Sequence, residues 1–194
     1  NKPAAALQAE GKRVLKNPAI TLVPLQSGSF LMGSPGALNA LRVTMSSNGQ
    51  LLAHVNLVGK IEIVRVSDNS IVTTTSKLPS PANAIDLSPD GKFILSGSSD
   101  GIARLWNTTS GQLIHTCEGH SASIASVAFT PDGKGFATGG IDGSCRLWNV
   151  ETGKTTLVIK DPEARFLRLS FAPDGKSLLT SGPGAKPVIW DCLD

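Results

Sequence analysis

An all-β fold of small antiparallel sheets, repeated along the chain, is predicted by three observations in the 194-residue sequence. One unit recurs: SPDGKFILSGSSDGIARLWNTTSG (88–111) returns as TPDGKGFATGGIDGSCRLWNVETG (130–153) and again as APDGKSLLTSGPGAKPVIWD (172–191). Its tryptophans, Trp106, Trp148 and Trp190, stand 42 residues apart. Within each unit, strand-sized apolar runs alternate with turn residues, the pattern of strands joined by hairpins. A sheet of four such strands cannot bury both its faces alone. Copies stacked around a shared axis can, which is the β-propeller solution.

The elements follow in order. Asn48-Gly49, Asp90-Gly91, Asp132-Gly133 and Asp174-Gly175 each mark a hairpin turn, with the Asx-Gly step supplying its positive φ angles. A first strand precedes each turn, with apolar residues two apart: Val43 and Met45, Ile85 and Leu87, Val127 and Phe129, Leu169 and Phe171. A second strand follows at 51–54, 93–96, 135–138 and 177–180. A third ends at the tryptophan, or at Val64, one period before Trp106. A second turn, Ser110-Gly111 or Thr152-Gly153, leads to a fourth strand such as 112–117. The units predicted are 1–33 (blade one, degenerate), 34–75 (blade two, degenerate), 76–117 (blade three), 118–159 (blade four) and 160–194 (blade five, lacking its outer strand). In blade one, PAAALQ, GKRVLKN, AITLVPL and SFLMG read as four strands.

The combination of Gly119-His120, the Pro-Asp-Gly turns and Leu-Trp-Asn at this period resembles the WD-repeat family, of the G-protein β-subunit type. The resemblance covers 38–194 well and 1–33 weakly. It implies a buried hydrogen-bond chain on His120, Thr138, Asp142 and Trp148. Blade three keeps Ser96, Asp100 and Trp106 but has Leu78 at the histidine position; blade five keeps Thr180 and Trp190 but has Gly184 for the aspartate. Blade two has His54, Val58 and Val64 in these columns. Those three blades are expected to rely on apolar packing, with blade two among the more easily opened. The family's usual ring has seven blades. About five blades here would then need roughly two more and a closing strand, on the order of 90 residues, from upstream sequence or a second chain.

Composition bounds the function. A net charge of +3 without a Lys/Arg run gives little reason to expect nucleic acid, and tyrosine is absent while the tryptophans are committed to packing. No apolar stretch approaches the roughly 20 residues that span a bilayer. Three cysteines, Cys117, Cys145 and Cys192, form no disulfide framework and favour a reducing, intracellular setting, cytoplasmic or nuclear. No catalytic constellation, metal site or cofactor is expected. His120 belongs to the buried chain, His54 to a strand, and His115 to a solvated outer strand. Cys117 and His120 have zinc-ligand spacing but no second pair of ligands. Asn107-Thr108-Thr109 matches a glycosylation sequon but falls in a turn.

A non-catalytic protein-interaction scaffold is therefore expected, offering a loop face to a peptide or partner domain within a larger assembly. A propeller enzyme with a channel site near Asp86 and an RNA- or DNA-associated scaffold are the alternatives. Candidate contacts are the apolar loop residues Leu57 and Ile141, the charges Glu163 and Arg165 in the Gly-His region of blade five, and Arg168 and Arg42 on innermost strands. Arg42 and Asp86, on adjacent blades, are expected to neutralise one another. Pro187, within the third strand of blade five, has no N–H to give and suits a loosely paired edge.

Overall fold

The structure is a computed structural model that describes residues 22–24, 30–32, 42–160, 166, 168–182 and 187–192. The chain divides into two units, 1–41 and 42–194. In the first, β1 (Leu22–Pro24) and β2 (Phe30–Met32) pair antiparallel, within the AITLVPL and SFLMG segments. The two other strands expected for blade one lie outside the described residues.

The second unit is a run of antiparallel sheets. Blade two comprises β3 (Val43–Met45), β4 (Leu51–Val55), β5 (Ile61–Arg65) and β6 (Ile71–Thr74). Blade three comprises β7 (Ala82–Leu87), β8 (Phe93–Ser98), β9 (Ala103–Asn107) and β10 (Leu113–Cys117). Blade four comprises β11 (Ile124–Phe129), β12 (Gly135–Gly140), β13 (Ser144–Asn149) and β14 (Thr155–Lys160). Blade five has three described strands, β15 (Arg168–Phe171), β16 (Ser177–Ser181) and β17 (Val188–Asp191). Each sheet is an up-and-down meander, and the architecture is a β-propeller of several blades. Pro187 lies just before β17, not inside it.

The turns between first and second strands differ from expectation in one respect. Only the glycine is left-handed, as at Gly91 (φ 72°) and Gly133 (φ 71°), while the preceding aspartate is not. The turn spans four residues, closed by Ser88 N–H to Phe93 O at 2.9 Å and Gly91 N–H to Ser88 O at 2.9 Å. The aspartate works through its side chain: Asp90 Oδ1 accepts Lys92 N–H at 3.0 Å and the Ser88 hydroxyl at 2.7 Å. The carboxylate thus braces the loop instead of twisting it.

The fourth strands share a further regularity. Pairing skips one residue opposite the tryptophan column, leaving Val72, Ile114 and Thr156 as bulges at the 42-residue period. A bulge sharpens right-handed twist, so each outer strand swings relative to the inner ones.

Packing explains the period. Trp106 lies in a cluster with Ala53, Ile61 and Ile63 of blade two, and Trp148 in one with Leu95, Ala103 and Leu105 of blade three. Trp190 joins Ala137, Cys145 and Leu147 of blade four. Every tryptophan therefore serves the same seam, its own blade against the preceding one. Truncating a buried tryptophan costs about 3–5 kcal/mol. Gly97 marks how closely the blades approach, since a Cβ there would meet Ile124 and Val127 of blade four.

Candidate functional site

Polar side chains at the loop end of each blade set up the site. In blade four, β12 and β13 place Thr138 opposite Arg146 and Phe136 opposite Trp148. The Trp148 indole N–H donates to Thr138 Oγ1 at 2.9 Å, His120 Nε2 lies 2.8 Å from the same oxygen, and His120 Nδ1 lies 3.0 Å from Asp142 Oδ2. Burial holds His120 below its ordinary value despite the pull of Asp142, so the ring is neutral. A carboxylate can only accept, which puts the ring proton on Nδ1 and makes Nε2 the acceptor of the Thr138 hydroxyl. Burial alone would raise the Asp142 pKa; the Ser144 hydroxyl and the Ser121 and Ser144 N–H groups hold it low.

Blade three solves the same problem differently. Leu78 is buried at the histidine position, so Asp100 has no imidazole to hold. It takes the Arg104 guanidinium, Oδ2 to Nη2 at 2.8 Å and Oδ1 to Nη1 at 3.4 Å. Blade two pairs His54 Nε2 with Glu62 Oε2 at 3.3 Å, with Asn56 Nδ2 donating to Glu62 Oε1 at 2.7 Å. The expectation that blades two and three rely on apolar packing is therefore corrected: each has its own polar pair. In blade five the Trp190 indole N–H donates to Thr180 Oγ1 at 2.8 Å.

One period after Arg104 stands Arg146, a residue the sequence reading did not single out. Asp142 is already engaged by His120, and Arg146 Nε is buried without a hydrogen-bond partner. Its guanidinium rests against Gly119, where a Cβ would come within 3.0–3.3 Å of it and where φ is +151°. The glycine of the Gly-His step thus makes room for the arginine.

The candidate contacts fall as follows. Loops joining second to third and fourth to first strands emerge at one end of an antiparallel meander. Leu57 (90% exposed) and Val58 (61%) lie there between β4 and β5, and Ile141 (46%) between β12 and β13. Arg42, just before β3, and Arg168, first residue of β15, are exposed at the same end. Glu163 and Arg165 lie outside the described residues.

Arg42 and Asp86 do not neutralise one another. Asp86 Oδ2 accepts Phe129 N–H at 2.9 Å from blade four, and Oδ1 accepts the Thr44 hydroxyl at 3.2 Å from blade two. Burial pushes its carboxyl up to about 6, the two hydrogen bonds pulling the other way. Asp86 is therefore a three-blade fastener at the hub. A neighbouring seam uses a neutral group, with Ser126 Oγ accepting Leu169 N–H at 3.1 Å. His115 is half-buried, not solvated: its Nε2 lies 2.9 Å from Glu151 O of blade four. Cys117 is buried and its thiol points at Gly153 O, 3.5 Å away. Among the described residues, no three His, Cys, Asp or Glu side chains gather where a metal ion could sit, and no helix is long and apolar enough to cross a membrane.

The family model described as WD domain, G-beta repeat matches residues 67–107 and 111–149. Residues 67–107 and 111–149 thus carry WD repeats. It is 48% identical over 42 residues to human WD repeat-containing protein 86, covering 22% of this chain and 11% of that protein. It is 35% identical over 86 residues to the meiotic recombination protein rec14 of Schizosaccharomyces pombe, covering 43% and 28%. It is 44% identical over 55 residues to autophagy-related protein 16 of Arabidopsis thaliana, covering 28% and 11%. The matched segments thus span at most 28% of the length of these three relatives. Each family match begins before the outer strand of one blade, β6 or β10, and ends on the third strand of the next, β9 or β13. Repeat and blade are out of step by one strand.

Proposed function

We propose that the chain is a non-catalytic, intracellular protein-interaction scaffold whose loop face receives a peptide or partner domain within a larger assembly. The observation that carries this reading is the placement of apolar side chains. Among the described residues, every large apolar loop residue that is exposed, Leu57, Val58 and Ile141, lies at one end of the sheets. At the other end the first-to-second-strand turns are braced by Ser, Thr, Asn and Asp side chains. None of the three apolar residues contributes to a core cluster, so their exposure costs solvation without serving the fold. Loops on a rigid sheet body are suited to recognition, because the body holds them in place. Relatives named for meiotic recombination and for autophagy fit a module reused in different assemblies.

The test is quantitative recovery of associated proteins on the full chain, comparing wild type with a Leu57→Asp/Ile141→Asp variant. The variant should fold, since both side chains are exposed, and should lose partners that wild type retains. Equal recovery of every partner refutes the loop face as the docking site.

A further inference from the structure

Among the described residues, charge at the loop end is unbalanced in a way that selects a partner. Arg42, Lys60, Lys77, Arg146, Lys160 and Arg168 lie at this end with no ion pair among the described residues. The acids there are already engaged: Glu62 by His54 and Asn56, Asp100 by Arg104, and Asp142 by His120, Ser121 and Ser144. Among the described acids at this end, Glu118 alone is without an ion pair or side-chain hydrogen bond. At the opposite end Lys134, Lys154 and Lys176 also lack an ion pair among the described residues, but acids offset the cations there. Asp68, Asp90, Asp132, Glu151, Asp174 and Asp191 are no fewer than Arg65, Lys92 and those three lysines.

Arg146 is the focus of this field. The column that gives Arg104 a carboxylate gives Arg146 none, because His120 has taken Asp142. Its Nε is buried and unsatisfied, and its guanidinium is steadied against Gly119. Nε offers no surface to an incoming group, but the other two guanidinium nitrogens are not buried and make no hydrogen bond among the described residues. The held guanidinium can therefore donate to an arriving carboxylate through them. Holding the side chain in advance lowers the entropy lost on binding.

We infer that the loop face binds an acidic segment of a partner protein, with one of its carboxylates seated on Arg146. This deepens the scaffold reading and rests on it. Apolar residues of the segment meet Leu57, Val58 and Ile141, and the remaining cations draw the acidic stretch in.

The test uses fluorescence anisotropy on the full chain with a labelled peptide of alternating Leu and Glu, against counterparts with Gln, Lys or phosphoserine in place of Glu. The Glu probe should bind about tenfold more tightly than the Gln probe, and its advantage should shrink as salt is raised. Arg146→Met should cost about tenfold in Glu-probe affinity, Arg146→Lys less, and Lys134→Met, on the opposite end, nothing. Melting temperatures at or above wild type for Arg146→Met would show that folding is intact. Failure of the Glu probe to bind, equal affinity for the Glu and Gln probes, binding by the phosphoserine probe alone, or equal losses from Arg146→Met and Lys134→Met would each overturn the carboxylate seat. Loss of partners in the Leu57→Asp/Ile141→Asp variant, with Arg146→Met silent, leaves the loop face standing and removes only the acidic partner. If neither variant loses binding, both readings fall.

Discussion

Replacing Asp86 with asparagine isolates the cost of keeping a charge at the hub. The carboxylate accepts Phe129 N–H on one oxygen and the Thr44 hydroxyl on the other, and burial raises its pKa from 3.8 to about 6. A raised carboxyl pKa means that the folded protein holds this proton more tightly than the unfolded chain. The stability it contributes is fully present below about pH 4 and lost as the pH rises through about 6. A shift of about two units corresponds to about 3 kcal/mol in full, of which about 1.4 kcal/mol separates pH 8 from pH 5. Solvent reaching the half-buried side chain scales both figures down. Asparagine has the same shape and no charge: its Oδ1 can keep the Phe129 bond while its Nδ2 donates to Thr44 Oγ1. Asp86→Asn should therefore exceed wild type in stability at pH 8, by a margin that narrows steadily toward pH 5. Urea unfolding followed by tryptophan fluorescence at each pH measures the margin, and the difference cancels the surface acids common to both proteins. A margin independent of pH, or one that grows toward acid, would refute the account of Asp86 as a carboxylate whose charge is disfavoured by burial more than its two hydrogen bonds favour it.

Three further outcomes are expected, each read from urea unfolding. Thr138→Val should cost about 2–4 kcal/mol by stranding both the Trp148 indole and His120 Nε2, whereas Thr180→Val, which strands only Trp190, should cost about 1 kcal/mol. His120→Leu copies the Leu78 arrangement of blade three and frees Asp142 for Arg146; Arg146→Met should then cost about 1 kcal/mol or more beyond its effect in wild type, measured as a double-mutant cycle. Gly97→Ala should cost about 1–3 kcal/mol by pressing a methyl group into Ile124 and Val127 across the blade seam.

The strands of the second unit were legible because three signals coincide in them: the tryptophan period, the Asx-Gly turns and apolar alternation. Trp106, Trp148 and Trp190 could be aligned by eye, and the structure puts all three on one kind of seam. The bulges at Val72, Ile114 and Thr156 were not legible, since a skipped pairing is a property of two strands and leaves no mark on either alone. Asp86 was misread for a similar reason. Its charge suggested Arg42, but its partners are a backbone N–H 43 residues away and a hydroxyl 42 residues back, neither of which a side-chain inventory exposes. Arg146 had a signal that went unused. Arg104 and Arg146 occupy one column, and Leu78 against His120 in another decides which arginine keeps an aspartate.

The one-strand offset between repeat and blade bears on how the chain survives breakage. A protease entering at the exposed Thr109-Ser110 link would divide the sequence close to the junction of its two family matches. It would not divide a sheet, because β10 remains laced to β9 through Trp106 opposite Leu113 and Leu105 opposite His115. Each fragment would hold an edge belonging to the other, so the clipped protein should migrate as a single body and come apart only in denaturant.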